Sequence, residues 1–502
     1  MDTMPTRAAA KERWSKMSGR RSGTLERARD CAALTIPGLL PPQGHSDTAS
    51  LPTPYQSIGA RGVNNLASKL LLALLPPGTA FFRLAINEQV AADLGAGLAQ
   101  VEEALAQIER QVTHGIEASP IRPLVFETLS HLVVTGNALM HVPSPDEARV
   151  FRLDQFCILR DASGNPVEAV VLESVHPSTL DEAVLSACKV NHKSDDRVDI
   201  YTIVTWTRGA EEYWQEINDV EVPGSRGRRP AGKGEWMPLR WRAVPGQDYG
   251  RGQVEEYLGD LRSLEYLNEA IVQFSTAAAK IVCMVRPNAT TDAGDIVNAE
   301  SGDVVTGNPE DVAFLQMEKY ADFQVANSVA ERLETRLAHA FLLRSGVTRN
   351  AERVTAEEIR MMAQELEDVL GGVYTVLSQE FQLPFVRRLM ASMKGIPALP
   401  KDTVDPVIIT GFEALGRNHS LNKLRAFIAD LANSLGPQGL SYLNPQEILL
   451  RLGTGYGIED VQSLIKSPEQ LQAEQQQAMM SNVVDKAAGP VAGAMAKQGS
   501  PQ

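Results

Sequence analysis

Residues able to do chemistry at a useful spacing are scarce in this chain. None of its eight histidines lies in an H-E-x-x-H pair, and no Cys/His spacing suits zinc, so neither a metal site nor a cofactor is expected. His131 and His141, ten residues apart on or beside a helix, read as packed or capping residues. Cys31, Cys157, Cys188 and Cys283 are scattered with no C-x-x-C pair, the pattern of reduced, mostly buried thiols. A phosphate-gripping G-x-x-x-x-G-K-[ST] loop is missing, which argues against ATP hydrolysis. Gly453-Thr454-Gly455-Tyr456-Gly457 lacks the preceding strand of a dinucleotide site and reads as a turn. No G-x-S-x-G nucleophile elbow occurs. The paired acids Glu255-Glu256 and Glu357-Glu358 sit on helices beside basic residues, which suits a salt-bridged surface better than acid/base work. No catalytic residue is assigned.

Charge is the stronger signal. The 502 residues carry a net charge of −14 with 43% hydrophobic residues, so several globular domains are expected, but not a general nucleic-acid coat. Locally the balance swings. Residues 1–30 sum to +4 and residues 226–242 to +5, the latter a Gly/Pro-containing loop or hairpin. Residues 291–322 sum to −7, and the polar loop 344–353 to +2. The N-terminal residues lack the apolar core of a signal peptide. Leu66 to Leu75 is too short to span a bilayer and carries Lys69, so a buried helix is expected there and no membrane association.

The elements that must hold these charges follow from periodicity. Residues 10–142 read as mainly helical, with proline breaks at 37–42, 52–54 and 76–77 and spacings of three and four over 99–118 and 123–141. Between 148 and 245 the period changes to two, which predicts a small antiparallel sheet set among helices. The fold class is therefore α+β, mainly helical. After Tyr249-Gly250-Arg251-Gly252, the stripe Val254, Leu258, Leu261, Leu264, Ile271, Phe274 predicts a helical rod of about 45 Å ending at Arg286-Pro287. A second stripe runs from Phe323 to Phe341. Between the two lies the acidic insertion, with strand-like pieces at 303–305 and 312–315. Thr355 and Glu358 form a capping box that opens a further helix, with Gly371-Gly372 and Pro384 as bends. Residues 420–466 read as helical. Taken alone, the striped helices fit the core of one globular bundle equally well.

Five segments in order give the chain a specific resemblance: YQSIGARGVNNLASKL at 55–70, YGR at 249–251 with EEYLGDLRSLEYLNEAIV at 255–272, TGNPEDVAFLQ at 306–316, RVTAEEIR at 353–360 and LEDVLGGVYTVLSQEFQLPFV at 366–386. At these segments the sequence resembles the portal proteins, or head-to-tail connectors, of podovirus-type bacteriophages. It departs most from the family's pattern within 180–245 and after 420. The resemblance implies a ring of identical subunits, twelve in the family, at one capsid vertex. Through it a separate terminase motor packages double-stranded DNA that later leaves by the tail. It implies a wing at 1–250, a first stem helix at 251–286, a clip at 287–320 and a second stem helix at 321–343. A tunnel loop at 344–354, a long helix at 355–395 linking channel to wing, and a C-terminal crown at 396–502 complete the fold.

The same resemblance assigns roles. Arg344, Ser345, Thr348, Arg349, Asn350 and Arg353 fall in the tunnel loop. There the arginines would touch DNA phosphates transiently, or else pair with acids such as Glu352 or Glu357. Asp292, Asp295, Glu300, Asp303, Glu310 and Asp311 would dock basic surfaces of the terminase large subunit or tail adaptor, or else serve solubility and DNA repulsion. Val254, Leu258, Leu261, Leu264, Ile271 and Phe274 would bury area between subunits. Further implied partners are the major capsid and scaffolding proteins and internal core proteins. The implied location is the virion's portal vertex, reached from the host cytoplasm. The rival reading is an enzymatic nuclease or ATPase component of the packaging machine.

Overall fold

The computed structural model describes residues 9–343 except 47, 79–80, 88, 91–97, 192–195, 279–281, 288–289 and 316–319. It also describes residues 370–408 except 371, 394 and 398–403, residues 426–434, and isolated positions between 443 and 452. The chain divides into two units, Met1–Gly411 and Phe412–Gln502. In the second, residues 426–434 are helical. The rest of the helical reading for 420–466 falls largely outside the described residues, as does the Thr355–Glu358 capping box.

The first unit opens with helices α1 (Ala10–Arg20), α2 (Ser22–Ala33) and α3 (Ile58–Leu74), followed by strand β1 (Phe82–Ile86). Next come α4 (Leu98–Ala118), α5 (Ile121–Thr135) and β2 (Asn137–His141). The expected helix over 123–141 is thus cut short. Gly136 sits at φ +75, where its N–H closes the helix on the Leu132 carbonyl and turns the chain into a strand. Residues 138–140 are apolar and fully buried, and such a short run looks the same to periodicity in a buried strand as in a helix.

The sheet region contains β3 (Arg149–Phe151), β4 (Phe156–Arg160), β5 (Pro166–Val175), the short helix α6 (Glu182–Ala187), β6 (Val198–Trp206), β7 (Ala210–Ile217), β8 (Val220–Glu221), β9 (Gly227–Pro230) and β10 (Trp236–Arg240). Strands β4-β5-β6-β7-β8 lie side by side, all antiparallel, with β9 also on β7. A second sheet has the order β10-β2-β3, with Trp236 opposite His141. Both sheets draw most of their strands from the period-two region expected between 148 and 245.

Beyond Gly252 the single helix expected over 251–286 is three elements: α7 (Gln253–Glu256), α8 (Leu258–Ala278) and strand β11 (Val282–Val285). The strand covers Val-Cys-Met-Val, whose β-branched residues favour an extended backbone. Helix α9 (Ala293–Asn298) and strand β12 (Val312–Leu315) follow. The partner of β12 is β11, with Val282 opposite Leu315. Residues 303–305, read as strand-like, are irregular and exposed. Helix α10 (Tyr320–Ala340) returns. The later part comprises α11 (Gly372–Leu377), a π-helical turn over Ser378–Gln382, α12 (Leu383–Ser392) and β13 (Val404–Ile408). Pro384 lacks an N–H and crowds the carbonyl four residues back, and the helix widens directly before it.

One apolar core joins these pieces. It runs from Leu66, Leu70 and Leu74 of α3 through Val125 and Leu129 of α5 to Leu261 and Leu264 of α8 and Leu337 and Phe341 at the end of α10. Fully burying a leucine contributes about 2 kcal/mol, so the roots of α8 and α10 are firmly held. Glycine makes the junction before α7 possible. The Asn137 amide brackets Gly250, donating to its carbonyl at 2.9 Å and accepting its N–H at 2.8 Å. A Cβ at Gly252 would stand 2.8 Å from the Val133 and Val134 carbonyls.

Candidate functional site

Helices α8 and α10 run antiparallel. Phe274 stacks on Phe323 at 5.4 Å between ring centres, Arg336 pairs with Asp260 at 2.8 Å, and Tyr257 lies 6.1 Å from Phe341. The rooted end is buried and the far end half-covered. Val254, Leu261 and Leu264 are wholly enclosed by their own chain and so have no surface for a neighbouring subunit. This corrects half of the expected intersubunit stripe: spacing near 3.5 fits packing within a chain as well as between chains. Leu258, Ile271 and Phe274 are half-buried. Among the described residues, the exposed large apolar side chains of the pair are Tyr266, Val272 and Val325, outside that stripe.

At the far end, β11 and β12 carry the acidic insertion. Three of its six singled-out acids hold backbone. Asp292 accepts the Gly294 N–H at 2.7 Å and caps α9, Asp303 accepts the Glu300 N–H at 2.7 Å, and Asp311 accepts the N–H and hydroxyl of Thr290, each at 3.2 Å. Asp295, Glu300 and Glu310 are exposed, and their side chains have no partner among the described residues. Beside them Val297 is 82% and Val304 97% exposed.

The basic run 226–242 behaves in the opposite way. Arg226 pairs with Glu221 at 2.6 Å, Arg228 with Glu212 at 3.4 Å, Arg229 with Glu235 at 2.6 Å, Arg240 with Glu380 at 2.6 Å, and Arg242 with Glu256. Five of its six cations are therefore answered within the chain, and the run is not an open basic patch. Glu235, 1% exposed, is the hub: it also accepts from Tyr213 at 2.8 Å and from Arg388 at 2.8 Å, with His141 at 3.7 Å. Burial pushes its carboxyl up, but His141, the Tyr213 and Arg229 donors and the Arg388 charge outweigh that and bring it down to about 2. Glu211, beside it, has three N–H donors but no cation of its own, and burial raises it to about 7.

The segment 55–70 touches both long helices. Glu265 of α8 accepts the N–H groups of Tyr55 and Gln56 at 2.9 and 3.2 Å. On α3, Gly62 lies against the Phe341 ring, Asn65 donates to the carbonyls of Phe341 and Leu342 at 3.0 Å each, and Lys69 donates to the Leu342 carbonyl at 2.9 Å. Sequence reasoning missed Asn65 and Lys69 as functional candidates. The available signal was a lysine inside an otherwise apolar helical stretch. His131 and His141 are packed residues, His141 stacking on Trp236 at 4.0 Å. Glu255 pairs with Arg27 at 3.2 Å. Cys31, Cys157 and Cys188 are buried thiols, and burial pushes Cys31 up to about 12 and Cys157 to about 11. Among the described residues, no group of His, Cys, Asp and Glu could hold a metal, and no helix is long and apolar enough to cross a membrane. Arg344, Ser345, Thr348, Arg349, Asn350 and Arg353 lie outside the described residues.

A helical pair rooted in an α+β body carries the acidic insertion at its far end. The chain belongs to the bacteriophage head to tail connecting protein family, whose model matches residues 7–461. It is 42% identical over 494 residues to the portal protein of Enterobacteria phage T3, covering 95% of this chain and 92% of that one. The portal protein of Escherichia phage T7 is 41% identical over 505 residues, with 97% and 94% covered. That of Enterobacteria phage SP6 is 32% identical over 497 residues, with 94% of each covered. A chain from the neck of an empty gene transfer agent particle aligns at 12% identity and a TM-score of 0.36, covering 79% of this chain and 90% of its own.

Proposed function

We propose that the protein assembles as a twelve-membered ring at one capsid vertex and forms the channel through which a terminase motor packages double-stranded DNA, later released through the tail. In this reading it performs no catalysis. The first unit's body is the wing, α8 and α10 are the stem, and 287–320 is the clip. Residues 344–354 are the tunnel loop, and the later segments are the linking helix and crown. The carrying observation is kinship with portal proteins along nearly the whole chain. The half-covered outer stem, with Tyr266, Val272 and Val325 exposed, supports neighbouring subunits there. Asp295, Glu300 and Glu310 support docking of basic partner surfaces on terminase or adaptor. A net charge of −14 per subunit supports passage of DNA without adhesion.

Negative-stain imaging of the purified protein tests the assembly. Rings with an axial hole and twelve-fold projection symmetry are expected, and a monomer at micromolar concentration would refute it. An ATPase assay on the same rings should read background, whereas turnover would revive the enzymatic reading.

A further inference from the structure

We infer that Asn65 and Lys69 are positioning residues that set how the chain leaves the second stem helix for the arginine-bearing residues 344–353. The functional part of this rests on the channel reading proposed above. Helix α10 ends in a left-handed cap: the Leu342 N–H returns to the His339 carbonyl at 3.1 Å and the Leu343 N–H to the Ala338 carbonyl at 2.8 Å. The residue at the left-handed position of such a cap is usually glycine, yet here it is Leu342 at φ +55. An L side chain keeps that conformation only where its surroundings impose it.

Helix α3 supplies the surroundings. Gly62, Asn65 and Lys69 lie three and four residues apart and so share one face. A Cβ at Gly62 would come within 2.6 Å of Phe341 Cγ, so only glycine lets the helix end seat against α3. Asn65 and Lys69 then take the carbonyls that the last turn leaves open. Lys69 is only 6% exposed. A buried ammonium is costly unless paired, and filling this site alone would need no charge. At the negative end of the α10 dipole it holds one carbonyl in one direction. The 55–70 segment, which also binds α8 through Glu265, thereby fixes the exit of one stem helix relative to the flank of the other.

Lys69→Met keeps an unbranched apolar stem, one atom shorter than lysine, and removes the donor. In full-length rings, exchange of the Leu342 and Leu343 amides should accelerate about tenfold, the loss expected for one charge-assisted hydrogen bond. Peptides from α3 and the six-stranded sheet should stay unchanged, and trypsin cleavage mapped to Arg344, Arg349 and Arg353 should speed up. Lys69→Arg should restore protection. Unchanged exchange at Leu342 and Leu343 overturns the inference. If Lys69→Met loses protection throughout α3, Asn65→Ala carries the same measurement: faster exchange at Leu342 and Leu343 supports the inference, and unchanged exchange overturns it. Retention of packaged DNA separates the two levels. Faster local exchange with wild-type retention leaves the positioning standing and removes the channel role of 344–353, whereas wild-type exchange removes the positioning whatever DNA does.

Discussion

Residues 226–242 and 291–322 are both dense charge runs in glycine-containing sequence, one +5 and the other −7, and they end in opposite states. The basic run threads through strands β9 and β10, and its arginines meet Glu235 within the run and Glu221, Glu212, Glu380 and Glu256 from elements before and after it. The acidic run leaves the body at the far end of a helical pair, where half of its singled-out acids cap their own backbone and half face solvent. A charge run therefore says little about partners until its distance from opposite charge is known. Woven into a sheet, charge becomes internal structure; carried out on a stalk, it is left for another molecule.

The largest test of this contrast is at the basic run's buried hub. Glu235→Ala strands Arg229 and Arg388 and should cost about 3–5 kcal/mol, read as lost hydrogen-exchange protection along β10. Retained protection would mean that the pairing is incidental. Acidity probes the same hub without mutation. Glu235 is depressed to about 2, so its contribution is present above its ordinary value near 4.5 and is lost as pH falls toward 2. Glu211 is raised to about 7, so the folded state favours its protonated form, and stability declines as pH rises from 4.5 through 7. Glu211→Gln, whatever its absolute melting temperature, should abolish the decline between pH 5 and 7.

In the acidic run effects should be smaller and divided. Asp292→Ala should cost about 1 kcal/mol of local stability as a lost cap, and Asp311→Ala about 1 kcal/mol as lost hydrogen bonds from Thr290. Asp295→Lys, Glu300→Lys and Glu310→Lys together should leave the melting temperature within about 2 °C, since exposed substitutions usually stay within ~0.5 kcal/mol. Their effect should appear in adaptor binding at low salt; unchanged binding there would assign these acids to solubility. Smallest of all, Arg228→Ala breaks an exposed pair worth roughly 0–1 kcal/mol and should be nearly silent in thermal melts.

Much of the architecture was legible because it rests on local period. The stripes of α8 and α10, the strands β5 and β6 and the helices before residue 136 follow from spacing alone. What escaped depends on long-range partners. Nothing near Arg240 in sequence announces Glu380, 140 residues away, and nothing near Lys69 announces Leu342. Gly136 ended a helix that periodicity carried six residues too far. At 282–285 a short apolar run read as the tail of a rod, because strand and buried helix share that pattern. In the acidic insertion, the acids themselves were readable but their division into backbone-holding and open charges was not, since that turns on backbone N–H groups placed by the turn geometry.

Strand β1 is paired with β13, Phe82 facing Ile408 and Ile86 facing Val404, across more than 300 intervening residues. At roughly 5–20 residues per second, translation leaves β1 waiting on the order of half a minute for its partner strand to emerge. Until then its edge and the Phe82 and Leu84 side chains behind it lack their final cover. A nascent chain therefore cannot present a finished first unit until the sequence on both sides of α8 and α10 has been made. That order of events leaves the first unit unfinished until about four-fifths of the polypeptide has been made, so a product truncated before β13 would leave the β1 edge open.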